Sequence, residues 1–299
     1  MIGVEAEGGV RRSLRVVTSA RKGGSGKTVL TVLAAWELAK QGASVLVVDL
    51  DPQSVGSGAR LGANVKAPLG YTAIDLVRGS DGRRFSPQEI IPGLLDVVAS
   101  NQADVVGLEV ELSMLVARSR MATGSARRLA LDAQLGAVES AYDVVLIDTP
   151  TGFGEITSHA IEAASLVMSP IDVRCSDTVE SVHDLDEHLA ALERHPPAYF
   201  IPNMVGMTIE SRLAMRRAQE ICGERCLVRM ALPKAEKEIP TAMSHRRAMK
   251  ASSPPAVRVM EAVYRLGQWL IDEAATARQD QRGDGAVALT GPVAGAEEV

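Results

Sequence analysis

The chain has 299 residues, a formal net charge of −5, 46% hydrophobic and only 3% aromatic residues, which bounds it to one large or two small domains with a core of Val, Leu, Ile and Ala. No apolar run approaches the roughly 20 residues that a spanning helix needs, so an integral membrane protein of that kind is excluded. Three cysteines are too few for a disulfide framework and suit a reducing compartment.

Residues 1–13 are rich in Gly and Glu, lack an apolar leader core, and are expected to be a flexible N-terminus with no separate domain before the first strand. Residues 14–19, beginning Leu14-Arg15-Val16-Val17-Thr18, read as a strand. Lys22-Gly23-Gly24-Ser25-Gly26-Lys27-Thr28 follows, and a helical stretch runs from Val29 to Lys40. Strand, Gly-rich turn and helix are the context of a phosphate-binding loop. Glycines let backbone N–H groups curl around phosphate oxygens, and the helix N-terminus adds partial positive charge. Lys27 is placed to reach the β- and γ-phosphates, and the Thr28 hydroxyl to ligate Mg²⁺. The loop departs from the usual pattern in two ways: Arg21 replaces the first glycine, and a second lysine, Lys22, precedes the others.

The β-branched run at 45–50 suits a strand covered on both faces, and it leads into Asp49-Leu50-Asp51-Pro52-Gln53. Read alone, Asp49 also fits a strand-end carboxylate that caps the next helix. Residues 54–93 are loop-rich, and a strand is expected at 94–99. Residues 101–140 read as helices interrupted at Met121-Ala122-Thr123-Gly124-Ser125. Residues 143–148 form another apolar strand, ending in Asp148 at its carboxyl end, where α/β sheets place ligands. Further strands are expected at 165–171, 198–205 and 226–230, with helices over Ser176–Arg194 and Ser211–Cys222. A final helix runs from Pro255 to about Thr276, with Val259, Val263, Leu266 and Leu270 on one side; 277–299 reads as a disordered tail. The alternation predicts a doubly wound, mostly parallel α/β sheet over a single domain, residues 14–276, with the loop, Asp51 and Asp148 at one edge.

The two lysines around Gly-Gly-Ser-Gly, the Asp-Leu-Asp-Pro-Gln stretch and the Asp148 strand occur in an order that resembles the deviant Walker A ATPases of the ParA/MinD family, across roughly the first half of the chain. The resemblance implies that Lys22 crosses a dimer interface to the partner's phosphates and that Lys27 is the lysine of the chain's own loop. It also implies an ATP cradle of Gly23, Gly24, Ser25, Gly26, Thr28 and Val29, with Val29 standing where many relatives have a second threonine. Mg²⁺ would be held by Thr28 and Asp148, with Asp49 near its water shell, and Asp51 would orient the attacking water. Asn203 and Pro233 would lie near the adenine, although Asn203 fits a turn asparagine equally well. The implied function is a slow, partner-stimulated ATPase. It would form an ATP-dependent homodimer on nonspecific DNA, work with a ParB-like adaptor, and segregate or position a plasmid, a chromosome or other cargo. The implied location is cytoplasmic and nucleoid-associated. A MinD-like spatial regulator and a metabolic P-loop synthetase remain alternatives. The C-terminal Gly-Ala-Glu-Glu-Val has no basic apolar face, so no membrane contact is expected.

Residues 211–250 carry ten basic residues against four acidic ones, in a chain that is acidic overall. Such a segment suits phosphate backbones, and it also fits a solvated helical face. The candidates for DNA contact are Arg216, Arg217, Lys234, Lys237, Arg246, Arg247 and Lys250. Cys222 and Cys226 read as packed thiols rather than a metal site.

Overall fold

The computed structural model describes residues 12–51, 56–65, 71–78, 84–100, 114, 130–174, 178–194 and 196–287. The readings for residues 1–11, Pro52 and Gln53, Met121 to Ser125, and 288–299 lie outside them.

The strands are β1 Leu14–Thr18, β2 Val45–Asp49, β3 Gln88–Ile91, β4 Leu95–Val98, β5 Val144–Asp148, β6 Leu166–Asp172 and β7 Ala198–Asn203. They form a seven-stranded sheet in the order β3-β4-β2-β5-β1-β6-β7. Every pairing is parallel except β3 with β4. The helices are α1 Lys27–Lys40, α2 Ser57–Leu61, α3 Ala73–Arg78, α4 Ala130–Val138, α5 Glu155–Glu162, α6 Thr178–Ala190, α7 Ile209–Cys222, α8 Glu238–Ser244 and α9 Pro254–Val287. The doubly wound α/β architecture expected from the sequence is present.

Alternation along the strands divides the core. Val16, Val47 and Leu146 pack on one face with α1 and α9, while Val17, Val48 and Ile147 pack on the other with α3, α4, α5 and α6. Covered on both sides, β1, β2 and β5 are fully buried, which is why they read as continuous apolar runs. Arg15 is the exception on β1. Its guanidinium is held by Glu139 at 2.7 Å and by Asp132, at the sheet edge remote from the glycine-rich loop.

Three elements depart from the sequence reading. The expected strand at 226–230 is a 3₁₀ turn over Val228–Met230, with only bridge-like pairing to β7 at Cys226. Leu227 and Met230 both pack toward the α1/α9 face, and a spacing of three puts residues on one side of a 3₁₀ turn but on opposite sides of a strand. The loop-rich region contains β3, a short antiparallel edge strand whose register shifts between Glu89 and Ile91. The last helix continues through Val287 rather than ending near Thr276. No proline interrupts it there, and Arg278 anchors the extension to Asp143 at 2.5 Å.

Candidate nucleotide site

Parallel register sets the site. On β5, Asp148 pairs with Thr18 of β1 on one side and with Asp49 of β2 on the other. The glycine-rich loop leaves β1 from Thr18, so two carboxylates and the loop share one ledge at the carboxyl edge of the sheet. Thr149 donates to the Thr18 carbonyl at 2.9 Å and Thr31 to the Thr18 hydroxyl at 3.0 Å, tying β1, β5 and α1 together beneath the loop.

The loop curls through two left-handed positions, Gly24 (φ 77°) and Gly26 (φ 103°), which only glycine adopts without strain. Gly26 has a second constraint: a Cβ there would lie 2.2 Å from Asn203 Nδ2. Asn203, at the end of β7, donates through Nδ2 to the Ser25 carbonyl at 2.7 Å and accepts the Met204 N–H through Oδ1 at 2.8 Å. It is 2% exposed. These bonds are those of the turn asparagine, one of the two readings of Asn203. Its amide is engaged beneath the phosphate loop, where it fixes the loop's shape. Pro233 stays at the same rim, bridged to Val205 just beyond Met204.

Lys27 opens α1, is buried, and brings Nζ to 3.4 Å from the Thr151 hydroxyl. Burial lowers its pKa, against the charges of Asp148 and Asp51. Lys22, in contrast, is exposed on the outer limb of the loop. Thr151 was not anticipated. Its place three residues after the strand-ending Asp148 was the available signal.

The two ledge carboxylates differ. Asp49 accepts the Asp51 N–H at 3.2 Å through Oδ1 and the Gly58 N–H at 2.8 Å through Oδ2. Gly56 crosses it so closely that a Cβ would lie 2.3 Å from Oδ2. In these contacts Asp49 is the strand-end carboxylate that holds the start of α2. Burial, then the neighbouring Asp148, pushes its pKa up. Asp148 is fully buried, and both its oxygens lack a hydrogen-bond partner among the described residues. Burial pushes its carboxyl up to about 7. The Thr28 and Ser57 hydroxyls, aimed at the carboxylate, oppose this, Asp51 adds to it, and Lys27 also opposes it. A buried carboxylate without partners beside two hydroxyls is a set of hard oxygen donors, and it fits Mg²⁺.

The basic candidates are carried by two helices and the turns beside them. α7, with Arg216 and Arg217, buries Ala218 and Cys222 against one face of the sheet, whereas α8 buries Ile239 and Met243 against the other. Arg217 and Lys234 line a cavity of about 590 Å³ beside Met204 and Leu213. Lys237, Arg247 and Lys250 are exposed around α8. Arg246, in a left-handed conformation (φ 50°), lies against Gly62 at the end of α2.

This loop, its buried lysine and the carboxylates on the adjacent strands define a P-loop nucleotide-binding protein with an additional lysine ahead of the glycines. A family model described as an AAA domain matches residues 14–195. The cell division protein PomZ of Myxococcus xanthus is 29% identical over 216 residues, covering 62% of this chain and 64% of PomZ. A probable plasmid-partitioning protein ParA of Thermus thermophilus is 27% identical over 259 residues, covering 84% of this chain and 74% of that protein. McdA of Cyanothece in complex with ATP superposes with a TM-score of 0.71 at 18% identity, over 90% of this chain and 98% of McdA. The chain belongs to the ParA/MinD family of P-loop ATPases.

Proposed function

We propose that this protein is an ATP-driven dimerisation switch that binds DNA nonspecifically and segregates or positions a large cargo. The observation that carries the reading is the contrast between the two lysines of one loop. Lys27 is 6% exposed and faces the carboxylates of its own subunit, while Lys22 stands exposed on the outer limb. A lysine so placed can serve phosphates held by a facing subunit, as Lys27 serves its own.

In this reading the backbone N–H groups from Gly23 to Thr28 cradle the phosphates, and Lys27 meets the charge developing on the γ-phosphate. Thr28 and Asp148 would hold Mg²⁺, which when bound neutralises charge on the β- and γ-oxygens. Asp51 orients the attacking water, and Asp49 fixes the backbone from which Asp51 projects. Closure brings the cations of two subunits onto the same DNA, so weak contacts add through effective concentration. ATP then controls DNA binding by favouring the closed dimer, without touching DNA. A ParB-like adaptor would speed hydrolysis and release the dimer. Among the described residues no helix is long and apolar enough to cross a membrane.

The test is binding to nonspecific duplex DNA with ATP, ADP and no nucleotide across a salt series, run beside sedimentation velocity. ATP-selective binding that weakens steeply with salt, together with ATP-dependent dimers, is the expected result. Lys22→Ala should lose the dimer and keep measurable nucleotide binding. Loss of nucleotide binding instead would mean that Lys22 acts within its own subunit.

A further inference from the structure

Arg21 immediately precedes Lys22, and its guanidinium pairs with Asp184 on α6. Glu180 and Glu187, on the same helix, add to the negative field at Arg21. The limb carrying both residues is not packed flush against the sheet. A void of about 50 Å³, bordered by Arg21, Lys22, Ser25, Ser169 and Ser181, separates it from β6 and α6. Ser25 Oγ is buried there with no hydrogen-bond partner among the described residues. The ion pair holds the limb at its outer side and the Asn203 bond holds it at Ser25. The same helix reaches the other wall of the phosphate site. His188, one helical turn after Asp184, stacks on Phe153 at 4.6 Å and lies 3.2 Å from Ser158 Oγ. Phe153 is two residues beyond Thr151, the contact of Lys27.

We propose that Arg21 is a positioning residue for Lys22: its pairing with Asp184 docks the outer limb of the loop on α6, so that Lys22 is presented to the facing subunit. The inference rests on the sandwich-dimer reading above. The pair fixes the backbone immediately before Lys22, so that closure has fewer arrangements of the limb to select among. The pair is exposed at Arg21, so it adds little to the stability of the fold and its removal leaves the chain folded.

The experiment uses the full chain with Mg²⁺ and a non-hydrolysable ATP analogue. Sedimentation velocity gives dimerisation, and titration at concentrations below dimer formation gives nucleotide affinity. Arg21→Ala and Asp184→Ala should each weaken dimerisation about tenfold, roughly threefold for each of the two loops, with nucleotide affinity within about twofold of wild type. The charge swap, Arg21→Asp with Asp184→Arg, should recover most of the dimer. Single variants that dimerise like wild type would overturn the proposal. So would a loss of nucleotide affinity in Arg21→Ala that the swap deepens, because Arg21 would then act directly on the phosphates. A wild-type chain that stays monomeric with the analogue would remove the sandwich reading and this inference together.

Discussion

Asn203→Ala separates a loop-holding role from a base-reading role. The wild-type amide satisfies the Ser25 carbonyl at 2.7 Å and the Met204 N–H at 2.8 Å from a site that is 2% exposed. Truncation leaves two backbone groups without partners, each at a cost of about 1–3 kcal/mol, part of which an entering water restores. A net loss of about 2–3 kcal/mol lowers the melting temperature by about 4–8 °C. Where half of that loss concerns the loop alone, nucleotide binding must supply about 1–1.5 kcal/mol to reorder it, which is about tenfold in Kd. The loop meets phosphates, so the loss should be equal for ATP and GTP. Calorimetric titration with both nucleotides, beside a thermal melt, measures this. Weakened ATP binding with unchanged GTP binding would refute the clamp and restore Asn203 as a reader of the base. Unchanged melting and unchanged affinity would refute both roles.

Asp51→Ala should form the ATP-dependent dimer but not turn over, measured by phosphate release beside sedimentation; normal hydrolysis would remove Asp51 from the reaction. Gly56→Ala would place a Cβ 2.3 Å from Asp49 Oδ2, forcing α2 and the Asp51 backbone to shift. Hydrolysis should fall about 10- to 100-fold with nucleotide affinity little changed, and an unaffected rate would show that the segment between Asp51 and α2 does not position the reacting groups. Acid stability follows from Asp143. Burial pushes its carboxyl up, but bonds from Ser44 and Arg278 outweigh burial and hold it at about 2. A depressed folded pKa gives stability that is present above the ordinary value near 3.8 and lost as pH falls from there toward 2. Allowing for partial exposure, this is worth about 1–2 kcal/mol. Arg278→Ala should flatten that part of a chemical-denaturation profile, and an unchanged profile would contradict the assignment.

The central strands were legible because each is buried on both faces and ends in a polar residue at the ledge. β1, β2 and β5 therefore stand out as apolar runs that stop at Thr18, Asp49 and Asp148. β3 was not legible, since Gln88-Glu89-Ile90-Ile91 lies at the sheet edge and carries no clean alternation. The loop's glycines, Lys27 and Thr28 could be placed from spacing alone. The role of Asn203 could not, because its partner Ser25 lies 178 positions earlier and only the β1-β6-β7 order brings the two together. The basic segment shows the limit of local charge counting. Residues that are neighbours in sequence divide between α7 and α8, which cover opposite faces of the sheet.

Asp49 and Asp148 end adjacent parallel strands in register, yet the chain that follows makes them unlike. After Asp49 it turns back and lays the Gly58 N–H on the carboxylate. After Asp148 it leaves through Thr149 toward Thr18, giving that carboxylate nothing. Burial and mutual repulsion both oppose two charges on one ledge. The backbone bonds stabilise the charge on Asp49 locally, whereas the charge on Asp148 is favoured only by the Thr28 and Ser57 hydroxyls and by Lys27. One carboxylate thus fixes the chain and the other stays available for charge brought by the ligand.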